Sequence, residues 1–225
     1  MRKQDREILK NLLKSIPQNY KILDVGCGLG SNIIELQELG WENVIGVDIS
    51  NEMISYVKSK GLKGYSIEEL TQSSEKFNVI LMSHVIEHLS YDKFQSTMEF
   101  YFDRLEINGF LIVLTPVLYD AFFNDVDHIK PYFPDGIKTL FSQKLNSKQY
   151  NSSFVIELID LRLRKSSLSP YFLRCRFVPG RLNGYLVRAI DKIFEIIRIL
   201  SFGMLSKVTG YGAIWRVRKM STSDF

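Results

Sequence analysis

Hydrophobic positions along the chain follow two alternating patterns. Short, nearly continuous apolar runs are typical of strands covered on both faces, whereas longer segments repeat their apolar residues every three or four positions, as amphipathic helices do. The runs predict strands near 21–25, 44–48, 77–82, 110–114, 154–164 and 213–219, and the helical segments lie near 8–16, 31–39, 50–61, 91–106 and 134–145. Strands that alternate with helices predict an α/β protein built on a parallel sheet.

A glycine-rich turn joins the first predicted strand to the helix after it. Gly26, Gly28 and Gly30 alternate there, so the backbone can adopt positive φ and a ligand can lie directly against it. Ser31 is expected to cap the helix, whose free N–H groups favour a negative ligand group. Asp48 ends the next strand about 20 residues downstream, where a carboxylate can accept both hydroxyls of a ribose. The combination predicts a site for an adenosine-containing small molecule.

The spacing of this turn argues against a dinucleotide. A dinucleotide fold favours G-x-G-x-x-G, and Ser31 occupies the last glycine position here. Asp24 ends the first strand, where a carboxylate suits a ligand with an amine or a cation better than a pyrophosphate. At this point the chain resembles the class I S-adenosylmethionine-dependent methyltransferases of type 11/23. The resemblance rests on four segments between Tyr20 and Pro116, which are VGCGLG, VIGVDIS, FNVILMSHVIEHL and INGFLIVLTP.

The resemblance implies a fold and a set of ligand contacts. The fold is a Rossmann-like, seven-stranded, mostly parallel sheet with helices on both faces and an antiparallel last strand. The cofactor is S-adenosyl-L-methionine, and Ser66 stands where the family usually places an acidic residue near the adenine, so Ser66 or Glu68 would meet the adenine amino group. The cofactor-binding residues implied at matching positions are Asp24, Gly26, Gly28, Gly30, Asp48, Ile49, Ser66, Ile67 and Ser83.

All three histidines fall in segments that should border the predicted site. His84 and His88 lie four positions apart just after the fourth strand, and His128 follows the fifth. Methyl transfer to oxygen benefits from a base that titrates near neutral pH, and histidine is the usual choice. The resemblance implies that a histidine near position 128 faces the acceptor. His128 is therefore the predicted general base, His84 is the second predicted catalytic residue, and His88 is expected to support the fold.

A metal-binding alternative uses the same region of the chain. His84, Glu87, His88 and His128 offer nitrogen and oxygen ligands from one helical turn and one distant position, which is compatible with a divalent cation. Our prediction assigns no metal to the site, and metal binding stays open as the alternative.

Composition indicates a single globular domain. The 225 residues are 45% hydrophobic and 24% charged, an ordinary globular mixture. We predict one methyltransferase domain over 1–225, with a cofactor-binding core at 17–150 and a basic, amphipathic insertion at 165–210 between the last two strands.

Cys27 and Cys175 indicate no disulfide framework and a reducing compartment. The charged start of the chain is unlike a secretory signal, so a cytoplasmic protein, with possible peripheral membrane contact, is expected.

The net charge of +4 hides an uneven distribution along the chain. Residues 161–190 contain seven basic residues and no acidic residue, whereas residues 1–160 carry a net charge of −6. Clustered arginines favour phosphate or carboxylate partners, although a solvated face that compensates the acidic half is the alternative. Aromatic residues among them could stack on a base or sugar or insert at a membrane surface, and they are Tyr171, Phe172, Phe177 and Tyr185.

A second amphipathic pattern follows the basic stretch. Its apolar residues recur at helical spacing, and they are Leu186, Ile190, Ile193, Ile197 and Leu200. A helix that covers the core is the expected arrangement. Contact with an anionic membrane surface through residues 161–207 and a dimer seam are the two alternatives.

These patterns predict an enzyme that methylates oxygen on a sugar-bearing or anionic acceptor, such as a glycan, a lipid-linked molecule or another small molecule. An RNA 2′-O-methyltransferase-like enzyme is an alternative suggested by the basic stretch, and nucleic acid is the less favoured partner. A non-catalytic subunit with a cofactor fold is the other alternative. A nicotinamide-dependent oxidoreductase is disfavoured by Ser31 in the third glycine position.

Overall fold

A computed structural model describes residues 3–119, 121–142, 152–168, 182–202 and 204–220. Its seven strands are β1 (Ile22–Val25), β2 (Val44–Asp48), β3 (Gly64–Ser66), β4 (Phe77–Ser83), β5 (Leu105–Pro116), β6 (Phe154–Ser166) and β7 (Lys207–Lys219). They form one sheet in the order β3-β2-β1-β4-β5-β7-β6, in which the first five strands are parallel and β7 runs antiparallel to β5 and β6. The predicted mostly parallel sheet with an antiparallel last strand is confirmed.

Helices cover both faces of this sheet, as predicted. One face carries α1 (Lys3–Leu12), α2 (Ser31–Glu38) and α3 (Asn51–Ser59), and the other carries α4 (Ile67–Gln72), α5 (Tyr91–Phe102) and α6 (Pro134–Leu140). A seventh helix, α7 (Leu182–Leu200), lies between the last two strands in sequence. Short 3-10 turns lie at Leu13–Ser15, Ile86–His88 and Phe122–Asn124. Because each central strand is covered on both sides, its side chains divide between two separate apolar cores.

Several predicted element ends are wrong. β5 begins at Leu105 and β7 at Lys207, earlier than the predicted residues 110 and 213. The helix predicted to run to residue 106 ends at Phe102, because Leu105 is drawn into strand pairing with Phe77 and is buried in the core. Ser31 does not cap α2; Gly30 holds the capping position at φ 80°, and Ser31 is already helical. The helix beginning at Pro134 is described to Leu140, and the predicted end near residue 145 lies outside the described residues.

The expectation that α7 covers the core is wrong for its described side chains. Ile193 is 56% exposed and Leu200 is 73% exposed, whereas Glu195 and Arg198 on the neighbouring face are half-buried. The half-buried residues of this helix are both apolar and polar, whereas the predicted apolar positions Ile193, Ile197 and Leu200 lie outward. The described part of the chain does not include the aromatic and arginine residues at 171–181. It also does not include the side chains of residues 182–187. Among the described residues, none of the helices combines the length and apolar character needed to cross a bilayer.

Candidate active site

The glycine turn and the end of β2 lie together at the carboxyl edge of the sheet. Gly26, Gly28 and Gly30 have φ values of 68°, 51° and 80°, a left-handed conformation that glycine adopts without steric cost. Asp48 fixes the turn, since its Oδ2 accepts the N–H of Gly28 at 2.9 Å and its Oδ1 accepts that of Ser50 at 2.9 Å. The carboxylate predicted for a ribose thus lies directly beside the turn.

The space around the turn differs between Gly26 and Gly28. A Cβ at Gly26 would lie 2.8 Å from Cγ2 of Val85, which follows β4, whereas a Cβ at Gly28 would meet no atom within 4 Å. The backbone at Gly28 therefore faces open space, where a ligand can lie against it. The side chain of Ile49, the residue after Asp48, is 89% exposed.

Asp24 lies fully buried at the end of β1. Its Oδ1 accepts the Nδ2 amide of Asn32 at 3.0 Å, and its Oδ2 has no hydrogen-bond partner. Burial, opposed in part by the Asn32 hydrogen bond, raises the pKa of the Asp24 carboxyl to about 7. A buried carboxylate oxygen without a partner is costly on its own, and it is satisfied when a cationic group arrives.

The remaining predicted cofactor residues have mixed surroundings. The hydroxyl of Ser66 already caps α4 by accepting the N–H of Glu69 at 3.1 Å. In turn, Oε2 of Glu69 accepts the N–H of Ser66. Ile67 and Ser83 are half-buried.

Cys27 is buried within the turn, and its burial raises the pKa of its thiol to about 12, which is the behaviour of a packing residue rather than a nucleophile.

The three histidines converge on one cavity of about 890 Å³. His84 reaches it from the end of β4, His88 from the 3-10 turn after β4, and His128 from the loop after β5. That loop is anchored because the N–H groups of Ile129 and Lys130 both donate to the carbonyl of Glu87, at 2.9 and 3.2 Å. One residue that lines the cavity, His84, directly precedes Val85, whose side chain lies against Gly26 of the glycine turn.

His84 has both ring nitrogens occupied. Nδ1 lies 3.0 Å from Oε1 of Glu87, and Nε2 lies 3.1 Å from Oδ2 of Asp5. Burial lowers the pKa of the His84 imidazole, but the hydrogen bonds to Asp5 and Glu87 outweigh burial, and the pKa is raised overall. Both ring nitrogens face carboxylate oxygens, which accept hydrogen bonds, so this arrangement favours the protonated imidazole. Its catalytic role stays a prediction, and the geometry favours a positioning role over proton acceptance.

His88 and His128 have the opposite arrangement. Nδ1 of His88 lies 3.0 Å from the carbonyl oxygen of Asp127, and Nδ1 of His128 lies 2.7 Å from that of Phe122. A carbonyl can only accept, so each Nδ1 carries a proton, and in the neutral imidazole the lone pair is on Nε2. Nε2 of His128 is 3.6 Å from Oδ2 of Asp125, too long for a hydrogen bond. His128 thus has a nitrogen ready to take a proton.

The geometry for a metal is present in part. Among the described residues, one ligand atom each from Glu87, His88 and His128 lies within 4.8 Å of the others, and His84 is not in the group. A tetrahedral zinc ion needs ligand atoms about 3.3 Å apart. Glu87 is already engaged, because it accepts the hydroxyl of Thr115 at 2.9 Å and faces the His84 ring.

We expect the purified protein to contain no stoichiometric transition metal, because both carboxylate oxygens of Glu87 are already engaged, one by His84 and the other by Thr115. Elemental analysis of protein prepared without chelator measures this directly. Metal at one equivalent that disappears in Glu87→Gln, but not in Glu99→Gln, would contradict the prediction.

Four residues that shape the site were missed by the sequence analysis. Asn32 holds Asp24, and Thr115 holds Glu87. Asp5 bonds to His84 from α1, and the buried guanidinium of Arg164 donates from Nη1 to both Asp5 oxygens at 2.9 Å. Asp5 carried a usable signal, since it shares the buried stripe of α1 with Ile8, Leu9 and Leu12. Arg164 carried none, because its partner is 159 residues away in sequence.

The sheet order, the glycine turn and the carboxylate that ends β2 define a nucleoside-binding α/β protein of the class I methyltransferase type. A family model described as a methyltransferase domain matches residues 1–155, and the chain belongs to this family. The resemblance on which the sequence prediction rested is confirmed.

Individual relatives agree with this family at lower coverage. A ubiquinone biosynthesis O-methyltransferase from Bartonella tribocorum is 35% identical over 80 residues, which is 32% of this chain and 32% of the relative. A second one from Mesorhizobium japonicum is 35% identical over 81 residues, with the same coverage. The chain therefore matches only about a third of the length of these relatives.

Solved structures confirm the fold. A SAM-dependent methyltransferase from Archaeoglobus fulgidus superposes with a TM-score of 0.56 at 22% identity, covering 94% of each chain. The YcgJ protein of Bacillus subtilis gives a TM-score of 0.59 at 14% identity, covering 97% of this chain and all of the other.

The cofactor that the family implies is S-adenosylmethionine, and the residues present fit it. The unpartnered Oδ2 of Asp24 suits an ammonium group, and Asp48 lies beside the turn, where ribose hydroxyls can reach it. The open space at Gly28 accommodates a ligand against the backbone, and Ile49 offers an exposed apolar surface to a base.

The pKa of Asp24 makes cofactor binding depend on pH. Because the carboxyl has a pKa of about 7 in the free protein and must be ionised to bind an ammonium group, affinity rises as pH increases through 7. We expect S-adenosylhomocysteine to bind about tenfold more tightly at pH 8 than at pH 6, as measured by calorimetry. Asp24→Asn should bind weakly and lose this dependence; an equal pH response in Asp24→Asn would contradict the assignment.

Proposed function

We propose that the protein is an S-adenosylmethionine-dependent methyltransferase that methylates a hydroxyl of a sugar-bearing or anionic small molecule. The observation that carries the proposal is the placement of His128, whose Nδ1 donates to the Phe122 carbonyl and whose side chain lines a cavity of about 890 Å³. The acceptor lies in this cavity, and a glycan or a lipid-linked molecule belongs to the same proposal.

The chain's residues hold the reactants and move one proton. When bound, S-adenosylmethionine supplies an electrophilic methyl group on a positively charged sulfur. Asp48 binds the ribose hydroxyls, and Asp24 binds the amino group. Nε2 of His128 accepts the proton of the acceptor hydroxyl, while the Phe122 carbonyl fixes the ring through Nδ1. Most of the rate enhancement comes from alignment of hydroxyl oxygen, methyl carbon and sulfur.

A binding experiment followed by an acceptor screen tests the proposal. Calorimetry with S-adenosylhomocysteine should give a dissociation constant in the micromolar range, and NAD should give no heat. Methyl release is then measured across glycans, lipids, quinols and RNA. Absence of heat with both S-adenosylmethionine and its demethylated product, on folded protein, would end the proposal.

Two alternative functions predict different outcomes in the same screen. An RNA 2′-O-methyltransferase-like enzyme would release methyl to RNA with a steep salt dependence, since phosphate contacts dominate such binding. A non-catalytic subunit would bind no cofactor although folded. The unpartnered Asp24 oxygen and the Asp48 bonds to the turn support the catalytic reading.

The extent of the domain and the contact with a membrane remain proposals. One domain spans 1–225, with its core at 17–150 and its insertion at 165–210.

The outward apolar face of α7 continues into exposed Phe202 and Met204, which supports contact with a membrane surface or a second copy of the chain. We expect flotation with vesicles containing anionic lipid and reduced flotation of Ile193→Ser/Leu200→Ser; equal flotation, or none, would contradict membrane contact.

A further inference from the structure

A chain of buried polar side chains runs from α1 and β6 to the end of β4. Arg164 of β6 donates from Nη1 to both carboxylate oxygens of Asp5 at 2.9 Å, and from Nη2 to the carbonyl of Thr209 at 3.0 Å. Oδ2 of Asp5 also lies 3.1 Å from Nε2 of His84. Asp5 is 2% exposed and Arg164 is 4% exposed, so neither side chain can bind an acceptor directly.

The chain of contacts continues from His84 to Glu87, which is fully buried. Nδ1 of His84 lies 3.0 Å from Oε1 of Glu87, and Oε2 of Glu87 accepts the hydroxyl of Thr115 at 2.9 Å. Both carboxylate oxygens are therefore held, and with them the 3-10 turn Ile86–His88 is fixed against the sheet.

This 3-10 turn holds the loop that carries His128. The carbonyl of Glu87 accepts the N–H groups of the two residues after His128, at 2.9 and 3.2 Å. Nδ1 of His88 lies 3.0 Å from the carbonyl oxygen of the residue before His128. Three hydrogen bonds thus join the turn to both sides of His128, and any shift of the turn would be transmitted to its ring.

The backbone of His84 gives a physical reason for the contacts around it. Its φ is 58°, a left-handed conformation that a residue with a Cβ adopts only at a cost, so the surrounding structure must maintain it. The N–H of His84 donates to the carbonyl of Leu114 at 2.8 Å. Asp5 holds the ring at one nitrogen and Glu87 holds it at the other.

We propose that Asp5 and Arg164 are positioning residues for methyl transfer. They act through His84 and Glu87 to hold the ring of His128 in place for the acceptor. A buried ion pair often stabilises a fold no better than apolar residues of similar volume, and this pair lies directly against the strained His84. The role of His128 in this inference rests on the proposed function, whereas the connection from Asp5 to the loop depends only on the contacts.

Hydrogen exchange of single amides tests the connection without a methyl donor or an acceptor. In Asp5→Asn, exchange at Ile129 and Lys130 should become about tenfold faster relative to exchange at Leu23 in β1. Glu7→Gln is the matched control, because it removes an exposed carboxylate from the same helix, and it should leave all three amides unchanged. Exchange in Asp5→Asn that rises equally at Leu23 and in the loop would show a structural role only and overturn the proposal.

A second variant separates positioning from stability. Asp5→Leu/Arg164→Met replaces the buried pair by apolar residues of similar volume, so its thermal stability should be close to that of wild type. Exchange at Ile129 and Lys130 should still be about tenfold faster, because His84 has then lost its partner at Nε2. Wild-type exchange of the loop in this double variant would overturn the proposal.

Turnover shows whether the effect reaches the base. With an acceptor from the screen, Asp5→Asn should lower kcat about tenfold or more, while KM and S-adenosylhomocysteine affinity stay near wild type. The same substitution should lower kcat no further in a His128→Asn background, because the base is already absent. An equal loss of kcat in both backgrounds would overturn action through His128. Absence of cofactor binding in wild type, with the exchange pattern as expected, would overturn the proposed function alone.

Discussion

Asp48→Ala is expected to abolish measurable binding of S-adenosylhomocysteine, with a loss of affinity above about 100-fold. Two ribose hydroxyls would lose a charged acceptor, and each hydrogen bond to a charged group contributes about 1.5–3 kcal/mol. The same carboxylate also holds the N–H groups of Gly28 and Ser50, so the turn itself loosens in this variant. Both consequences lower the affinity, and calorimetry measures their sum.

Two further variants separate the loss of the ligand contact from the loss of fold. Asp48→Asn keeps one amide oxygen for the turn but removes the charge, and it should still lose most of the affinity. Glu52→Ala removes an exposed carboxylate in the first turn of α3 and should bind as wild type does. Thermal unfolding is recorded for each. A folded Asp48→Ala protein with affinity within threefold of wild type would refute the ribose assignment.

His128→Ala is expected to leave cofactor binding intact and to lower kcat by about 10²–10³-fold, which is the usual contribution of a general base. The His128 ring belongs to the loop after β5 and not to the glycine turn. The affinity for S-adenosylhomocysteine should therefore not change. Turnover and binding are measured on the same preparation once an acceptor is known.

The companion variant His128→Asn separates proton transfer from support of the loop. Its side-chain amide can still donate to the Phe122 carbonyl, as Nδ1 does now, but it cannot accept a proton at the position of Nε2. We expect kcat as low as in His128→Ala together with wild-type thermal stability. Turnover within threefold of wild type in both variants would remove His128 from the mechanism.

Local patterns predicted the cofactor side of the molecule well. Apolar runs, the glycine turn and the distal carboxylate are each specified within a few residues, and a parallel sheet brings the ends of its strands to one edge. Ser50 capping α3 and Asp48 beside the turn follow from that local information. The end of α5 could not be predicted in the same way, because pairing of Leu105 with Phe77 outweighed the helical pattern.

Contacts between distant segments determined the acceptor side. The sequence placed His84 and His128 near the site, but it gave no indication that Asp5 would engage one ring nitrogen of His84 and Glu87 the other. Those two bonds raise the pKa of His84, whereas the only printed bond of the His128 ring that meets the hydrogen-bond distance is from Nδ1 to a backbone carbonyl. Identical side chains acquire different chemistry from their neighbours.

The sequence by itself determined the family, the sheet and the glycine turn, because each depends on short-range spacing and on which residues can adopt a given backbone. Only the tertiary structure decided which partners each histidine ring meets and which face of α7 lies outward. These features depend on residues as far apart as Asp5 and Arg164, and no local pattern encodes such a pairing.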